Sequence, residues 1–239
     1  MPRAHLLLLP LLALAAGVPG HAREARLRLP EGFDARAAPQ AVSGLSPRRH
    51  GEPVRFGPYS ALEMREGGRV GRDIPLGRSA LRSLDQGWAY TEIALGQPPV
   101  QTQCRARSRA YVRGDAGAEF SVDLAALQGS PVLACGFRAD GEHVLLFQLH
   151  RRGDRLDGDA DGPGGAYRIR SLHGLEGTPL RSGDPAGYEI LKQERPVAVV
   201  DRLNAGSVAM DPALDAEEQV RLAALATALL LFDPAFGDG

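Results

Sequence analysis

Three sets of residues in this chain have types and spacings suited to chemistry. The run Asp157-Gly-Asp159-Ala-Asp161-Gly162 places carboxylates at alternate positions and ends on a glycine, as the opening of a calcium-binding loop does. An EF-hand loop would carry a bidentate Glu at its twelfth position, and that position is Arg168. The composition favours a solvent-exposed hairpin loop completed by Pro163-Gly164-Gly165. Calcium is the alternative, at the affinity of about 0.1 to 1 mM that extracellular sites reach. No other cofactor is implied.

The second set is Arg105, Arg107 and Arg109, one residue apart on a run that alternates in character. Guanidinium is the side-chain group best shaped for phosphate or carboxylate, so this row would seat an anionic lipid headgroup or glycan. Its competing reading is the solvated face of a strand, paired by acids on a neighbour. The third set is Cys104 and Cys135, the two cysteines of the chain. An even count in an oxidising compartment predicts one disulfide, with a pair of unconnected core thiols as the competing reading. Its loop of about 31 residues would be worth on the order of 3 to 4 kcal/mol in the chain-entropy account.

Other catalytic patterns are missing from the sequence. There is no G-x-S-x-G elbow, no C-x-x-C and no glycine-rich nucleotide loop between a strand and a helix. His143, His150 and His173 lack metal-ligand spacing. A hydrolase would have to assemble distant groups such as His143, His173 and Asp201. Trp88 and Tyr90 mark either a strand edge or a ligand surface.

The compartment is read from the first residues. Arg3, the apolar run Leu6 to Ala16 and the small-x-small close Gly20-His21-Ala22 form the pattern of a cleaved signal peptide over residues 1–22. The expected location is periplasmic or secreted. The apolar run is shorter than the about 20 residues a membrane span requires, so the mature chain is expected to have no transmembrane segment. Formal charge is −1, or −2 once Arg3 is removed, which gives no general attraction to nucleic acid.

Residues 23–49 are rich in Ala, Pro and Arg and read as an extended or disordered lead-in outside the core. Residues 50–239 then carry short apolar segments between Gly, Pro and Asp clusters, the pattern of a single all-β domain. Phe120, Val122 and Leu124 alternate with polar residues, predicting a half-buried strand. His143 to His150 and Ala166 to Ser171 read as hairpin partners. Strands are also predicted at Gly187 to Leu191, Val197 to Leu203 and Ser207 to Met210. The run Val100 to Val112 sets small residues (Thr102, Cys104, Ala106, Ser108, Ala110) on one face and the arginines on the other. If the small face points inward, close packing needs something else to fill the space.

That filler is predicted at about residues 215–232. Asp211, Pro212 and Asp215 offer N-terminal capping chemistry, and Leu222 to Phe232 is apolar all round. A helix of that kind is buried on every side. Its about 12 apolar residues rise only about 18 Å, too short for a bilayer. The expected architecture is therefore mainly β: an antiparallel closed barrel or strongly curved sheet wrapped round a buried C-terminal helix.

The run Gly187-Tyr-Glu-Ile-Leu, then Val197-Ala-Val-Val with Asp201-Arg202, then Ser207-Val-Ala-Met ahead of the helix resembles the C-terminal part of the tubby-like superfamily. That group includes the phospholipid scramblases and LURP-one-related proteins, and this chain would be a bacterial exported member. The resemblance covers the last quarter of the chain and implies a barrel of about a dozen strands round a hydrophobic helix. It does not carry function over, because this chain has Lys192 as its only lysine and the signature of an exported protein. The expected role is a non-enzymatic module whose surface binds an anionic lipid, glycan or protein partner. A carrier of a hydrophobic small ligand and an unrecognised hydrolase are the alternatives.

Overall fold

The computed structural model describes residues 24–34, 36–115 and 118–237, with backbone alone at 114, 115, 118 and 119. The expected signal peptide lies outside the described residues. The first strands are β1 (Gln40–Ala41), β2 (Val54–Phe56), β3 (Tyr59–Glu66) and β4 (Val70–Leu76). Two long strands follow, β5 (Ser79–Ile93) and β6 (Val100–Asp115), then β7 (Ala118–Asp123) and the single turn α1 (Leu124–Leu127). A meander continues through β8 (Leu133–Ala139), β9 (Glu142–Arg152), β10 (Arg155–Gly162) and β11 (Gly165–Leu172). It ends with β12 (Gly187–Lys192), β13 (Arg195–Asp201), β14 (Ser207–Met210) and the helix α2 (Ala216–Leu231).

Twelve strands form the wall in the order β1-β14-β13-β12-β11-β10-β9-β8-β6-β5-β3-β2, every neighbour antiparallel. One short bridge joins the two ends of this path. Just past β1, Ser43 and Arg55 of β2 exchange backbone hydrogen bonds of 2.9 and 3.1 Å. The barrel is thus nearly closed, with most of its sheet edges paired.

Inside it lies α2, as its apolar circumference predicts. Asp215 caps the helix, its carboxylate accepting from the Glu218 amide at 2.7 Å. Every residue from Val220 to Leu230 is buried. The helix lies against β6 and also touches β3, β5, β8, β9 and β13, so walls face it from several sides. Room comes from small inward residues: Cys104, Ala106 and Ala110 on β6, Gly158 and Ala160 on β10, and Ala223, Ala224, Ala226 and Ala228 on the helix itself. Side-chain hydrogen bonds from the wall fix its register. Tyr59 donates to Gln219 at 2.8 Å, Thr227 to Glu92 at 2.8 Å, Tyr167 to Glu218 at 2.7 Å, and Tyr90 to the Ala224 carbonyl.

Cys104 and Cys135 stand directly opposite each other on β6 and β8 with Cα atoms 4.1 Å apart, and their sulfurs are bonded. Both face inward, as the alternation of their strands requires.

Three local expectations need correction. The lead-in is extended, but it is not outside the core: Leu27, Ala37 and Val42 are buried, and β1 pairs with β14. Leu27 packs with Ala186 and Val199 on the outer side of β12 and β13, which explains why those two strands are buried on both faces. The segments His143 to His150 and Ala166 to Ser171 are not hairpin partners, since β10 lies between them and pairs with both. Phe120 does not face the core. It is 61% exposed, because β7 pairs with the end of β6 that extends past the barrel.

That extension is a distinct feature. The outer halves of β5 and β6, flanked by β4 and β7, form a four-stranded antiparallel wing off the main path of the barrel.

Candidate anion-binding surface

The arginine row sits where β6 loses its neighbour. β8 pairs with β6 only over Gln101 to Ala106, and β7 only from Ala110 onward. Between them the Arg107 amide donates to Val132 O at 2.9 Å, and the chain from β7 turns away through α1. Asp123 holds that turn, its carboxylate accepting from the Ala126 amide at 3.0 Å. The gap is a cleft of about 310 Å³ lined by Arg105, Arg107 and Arg109 on one side and by Ala125, Ser130 and Pro131 on the other.

Strand alternation points all three guanidiniums outward. Their neighbour on β5 supplies one acid. Asp85, in register with Arg107, accepts from Arg105 Nε at 2.6 Å and lies 3.4 Å from Arg107 Nε. The Arg105 hydrogen bond holds the Asp85 carboxyl below the usual carboxylate range, opposed by its slight burial and helped by the charge of Arg107. Arg109 faces Ser83 and has no ion pair among the described residues. Among the described residues the cleft therefore sets three fixed positive charges against one negative charge. Such a set can seat a phosphate or carboxylate by paired N–H donors.

The acidic run is a strand, not a loop. Asp157, Asp159 and Asp161 lie on β10, and the hairpin turn follows at Pro163-Gly164. Their side chains leave the outer face about 7 Å apart along the strand, a spacing that does not converge on one cation. Arg170 stands opposite Asp157 and Arg168 opposite Asp159, adding positive charge where a cation would sit. Among the described residues no group of three or more His, Cys, Asp or Glu is arranged to hold a metal.

The distant hydrolase trio is not assembled. His143 is the second residue of β9 and is exposed, four strand steps from Asp201 at the end of β13. His173 is buried with Nδ1 at 3.0 Å from Ser182 O and Nε2 at 3.2 Å from Ser171 Oγ. Asp201 accepts from the Leu203 amide at 2.8 Å. Trp88 and Tyr90 do not mark a strand edge; both point inward and are buried, and Trp88 also lines a pocket of about 260 Å³ with Arg48, Glu66, Arg202 and Phe232.

Two features escaped the sequence. Asp85 lies in a stretch with no clear alternation, so nothing marked it as the partner of the arginines. The other is a charged clasp at the mouth of the barrel: buried Glu218 accepts from Tyr167 at 2.7 Å and from Lys192, also at 2.7 Å. Burial and the adjacent Glu218 carboxylate push the Tyr167 phenol well up. These groups satisfy one another and close the end of the helix. Comparison with protein-family models, with curated proteins and with solved structures finds no match to this chain.

Proposed function

We propose that this chain is an exported, non-enzymatic module that binds an anionic group of a lipid, glycan or protein partner in the cleft of Arg105, Arg107 and Arg109. One observation carries the reading: Arg109 has no counter-ion among the described residues, while Arg105 and Arg107 share the single carboxylate of Asp85 beside an open cleft. What three guanidiniums contribute is electrostatic seating, which is binding and not turnover. The filled barrel supports a surface role, since α2 occupies the space that a carried hydrophobe would need. Export is supported by the pattern of the first residues and by a bonded cysteine pair, which persists in an oxidising compartment. Kinship with the tubby-like superfamily is part of the proposal, supported by the same barrel-and-helix arrangement that the resemblance implies.

The test is a titration of the protein with inorganic phosphate, followed through the arginine Nε–Hε resonances. Saturable shifts at Arg107 and Arg109 are expected, with binding lost in Arg109→Gln and strengthened severalfold in Asp85→Asn. Equal shifts in wild type and Arg109→Gln would remove the cleft as the site.

A further inference from the structure

The wing carries a second surface, continuous with the arginine row. Its strands are in unbroken register, so side chains form cross-strand rows on the outer face. Near the tip, short of the Asp115–Ala118 backbone pair, one row is Leu76, Ser79, Arg113 and Phe120. Behind it come Ile74, Leu81, Tyr111 and Val122, then Arg72, Ser83 and Arg109. Val70, Asp85 and Arg107 complete the face, and Arg105 lies beyond them on the barrel wall.

Burial does not account for the apolar members. Val70 is 66% exposed, Ile74 50%, Leu76 48% and Phe120 61%. Large apolar side chains clustered on one exposed sheet face mark a contact surface. The charges between them are mainly positive. Arg72, Arg105, Arg107, Arg109 and Arg113 share the face with Asp85, the one carboxylate among side chains the structure describes there. Along β6, Arg105, Arg107 and Arg109 take successive outward positions over about 13 Å, and Tyr111 separates them from Arg113.

We propose that this outer face of the wing lies against the anionic surface of a lipid bilayer. The inference rests on the anion-binding reading of the arginine cleft and names its source as a lipid headgroup. A row of guanidiniums at strand spacing matches a plane of many equivalent anions, whereas a single placed carboxylate would call for convergent donors. Apolar residues interleaved with that row can enter the headgroup boundary while the arginines stay at the phosphates, the pattern of interfacial membrane attachment. Attachment of this kind needs no spanning helix, and no helix among the described residues is long and apolar enough to cross a membrane.

Co-sedimentation of the protein with phosphatidylcholine vesicles, with and without phosphatidylglycerol, tests the proposal. Binding is expected only with phosphatidylglycerol and is expected to weaken with salt. The variant Ile74→Ser/Leu76→Ser changes two exposed side chains, so its thermal unfolding should match wild type. Its vesicle binding should fall at least ten-fold while its inorganic phosphate shifts at Arg109 stay unchanged. Arg109→Gln should lower vesicle binding about five-fold and abolish the phosphate shifts. Unchanged vesicle binding in Ile74→Ser/Leu76→Ser would overturn the proposal, as would phosphate binding without any vesicle binding, which leaves the cleft reading standing. Vesicle binding without phosphate shifts would uphold the wing and discard the cleft as a site for single anions. Capture of one polypeptide by wild type but not by Ile74→Ser/Leu76→Ser, in the absence of vesicle binding, would assign the face to a protein and overturn the bilayer.

Discussion

Thr227 Oγ1 donates a 2.8 Å hydrogen bond to Glu92 Oε2 at a point where both residues are fully enclosed between α2 and the wall. Burial disfavours the charged carboxylate, and the Thr227 bond only partly opposes it, so the Glu92 carboxyl is pushed up to about 8. An unfolded glutamate titrates near 4.5. Between those values the folded state holds a proton that the unfolded state releases. Stability from this site is therefore fully present below about pH 4.5 and is lost as pH rises through about 8. Glu92→Gln should flatten that slope and raise stability at pH 8.5 by a few kcal/mol, as read from urea unfolding across the pH range.

The lead-in is expected to be structural. Deleting residues 24–41 removes β1 and the Leu27 contact with Ala186 and Val199. The outer side of β12 and β13 and the edge of β14 would then be uncovered. Dye binding to exposed apolar surface should rise, and the urea midpoint should fall. An unchanged midpoint would show that the barrel closes without this segment.

Packing round the helix should be intolerant in both directions. Leu225 is completely buried, and Leu225→Ala should cost about 2 to 5 kcal/mol through lost transfer and a residual cavity. Ala224 is equally enclosed, and Ala224→Leu should cost about 1 to 3 kcal/mol by overpacking. Chemical denaturation measures both. If Ala224→Leu were neutral, the wall would have to hold more space than its small residues leave.

Reduction of the Cys104–Cys135 bond should destabilise the protein by about 3 to 4 kcal/mol. A Cys104→Ala/Cys135→Ala variant should unfold at the same lower denaturant concentration with or without reductant. Wild type should shift only when reductant is present.

The sequence and the fold agree most closely where a pattern has one physical meaning. An apolar circumference such as Leu222 to Phe232 has no place on a surface, and a strand with small residues inside and arginines outside assigns its own faces. The disulfide follows from a count of two. Agreement fails where composition argues against the element formed. The run Leu156-Asp-Gly-Asp-Ala-Asp-Gly reads as a turn because glycine and aspartate are poor strand formers, yet glycine is what the position needs. A Cβ on Gly158 would sit 2.3 Å from Gln148 O and one on Gly162 would sit 2.2 Å from Val144 O. Alternation of Asp with Gly or Ala was the signal available there.

The wing and the lead-in were hidden for different reasons. β4 is exposed at every residue, so it has no alternation to read. Leu27 and Val42 are isolated apolar residues in a polar, proline-rich stretch, and only the tertiary structure shows what they cover. The candidate site was half legible: the arginines were visible from their spacing, while Asp85 and the cleft depend on which strands pair and where they stop.

The placement of α2 has a consequence for how the molecule comes into being. Each of the fourteen described strands precedes α2 along the chain. A chain growing from its first residue completes its outer layer before the segment that layer must enclose has been made. Until Leu222 to Leu230 arrive, the strands have no centre to condense on, and their inward faces must be kept from sticking to one another or to other molecules. The order of synthesis and the order of assembly are thus opposed, and an early halt in translation should yield an aggregating fragment and not a smaller folded protein.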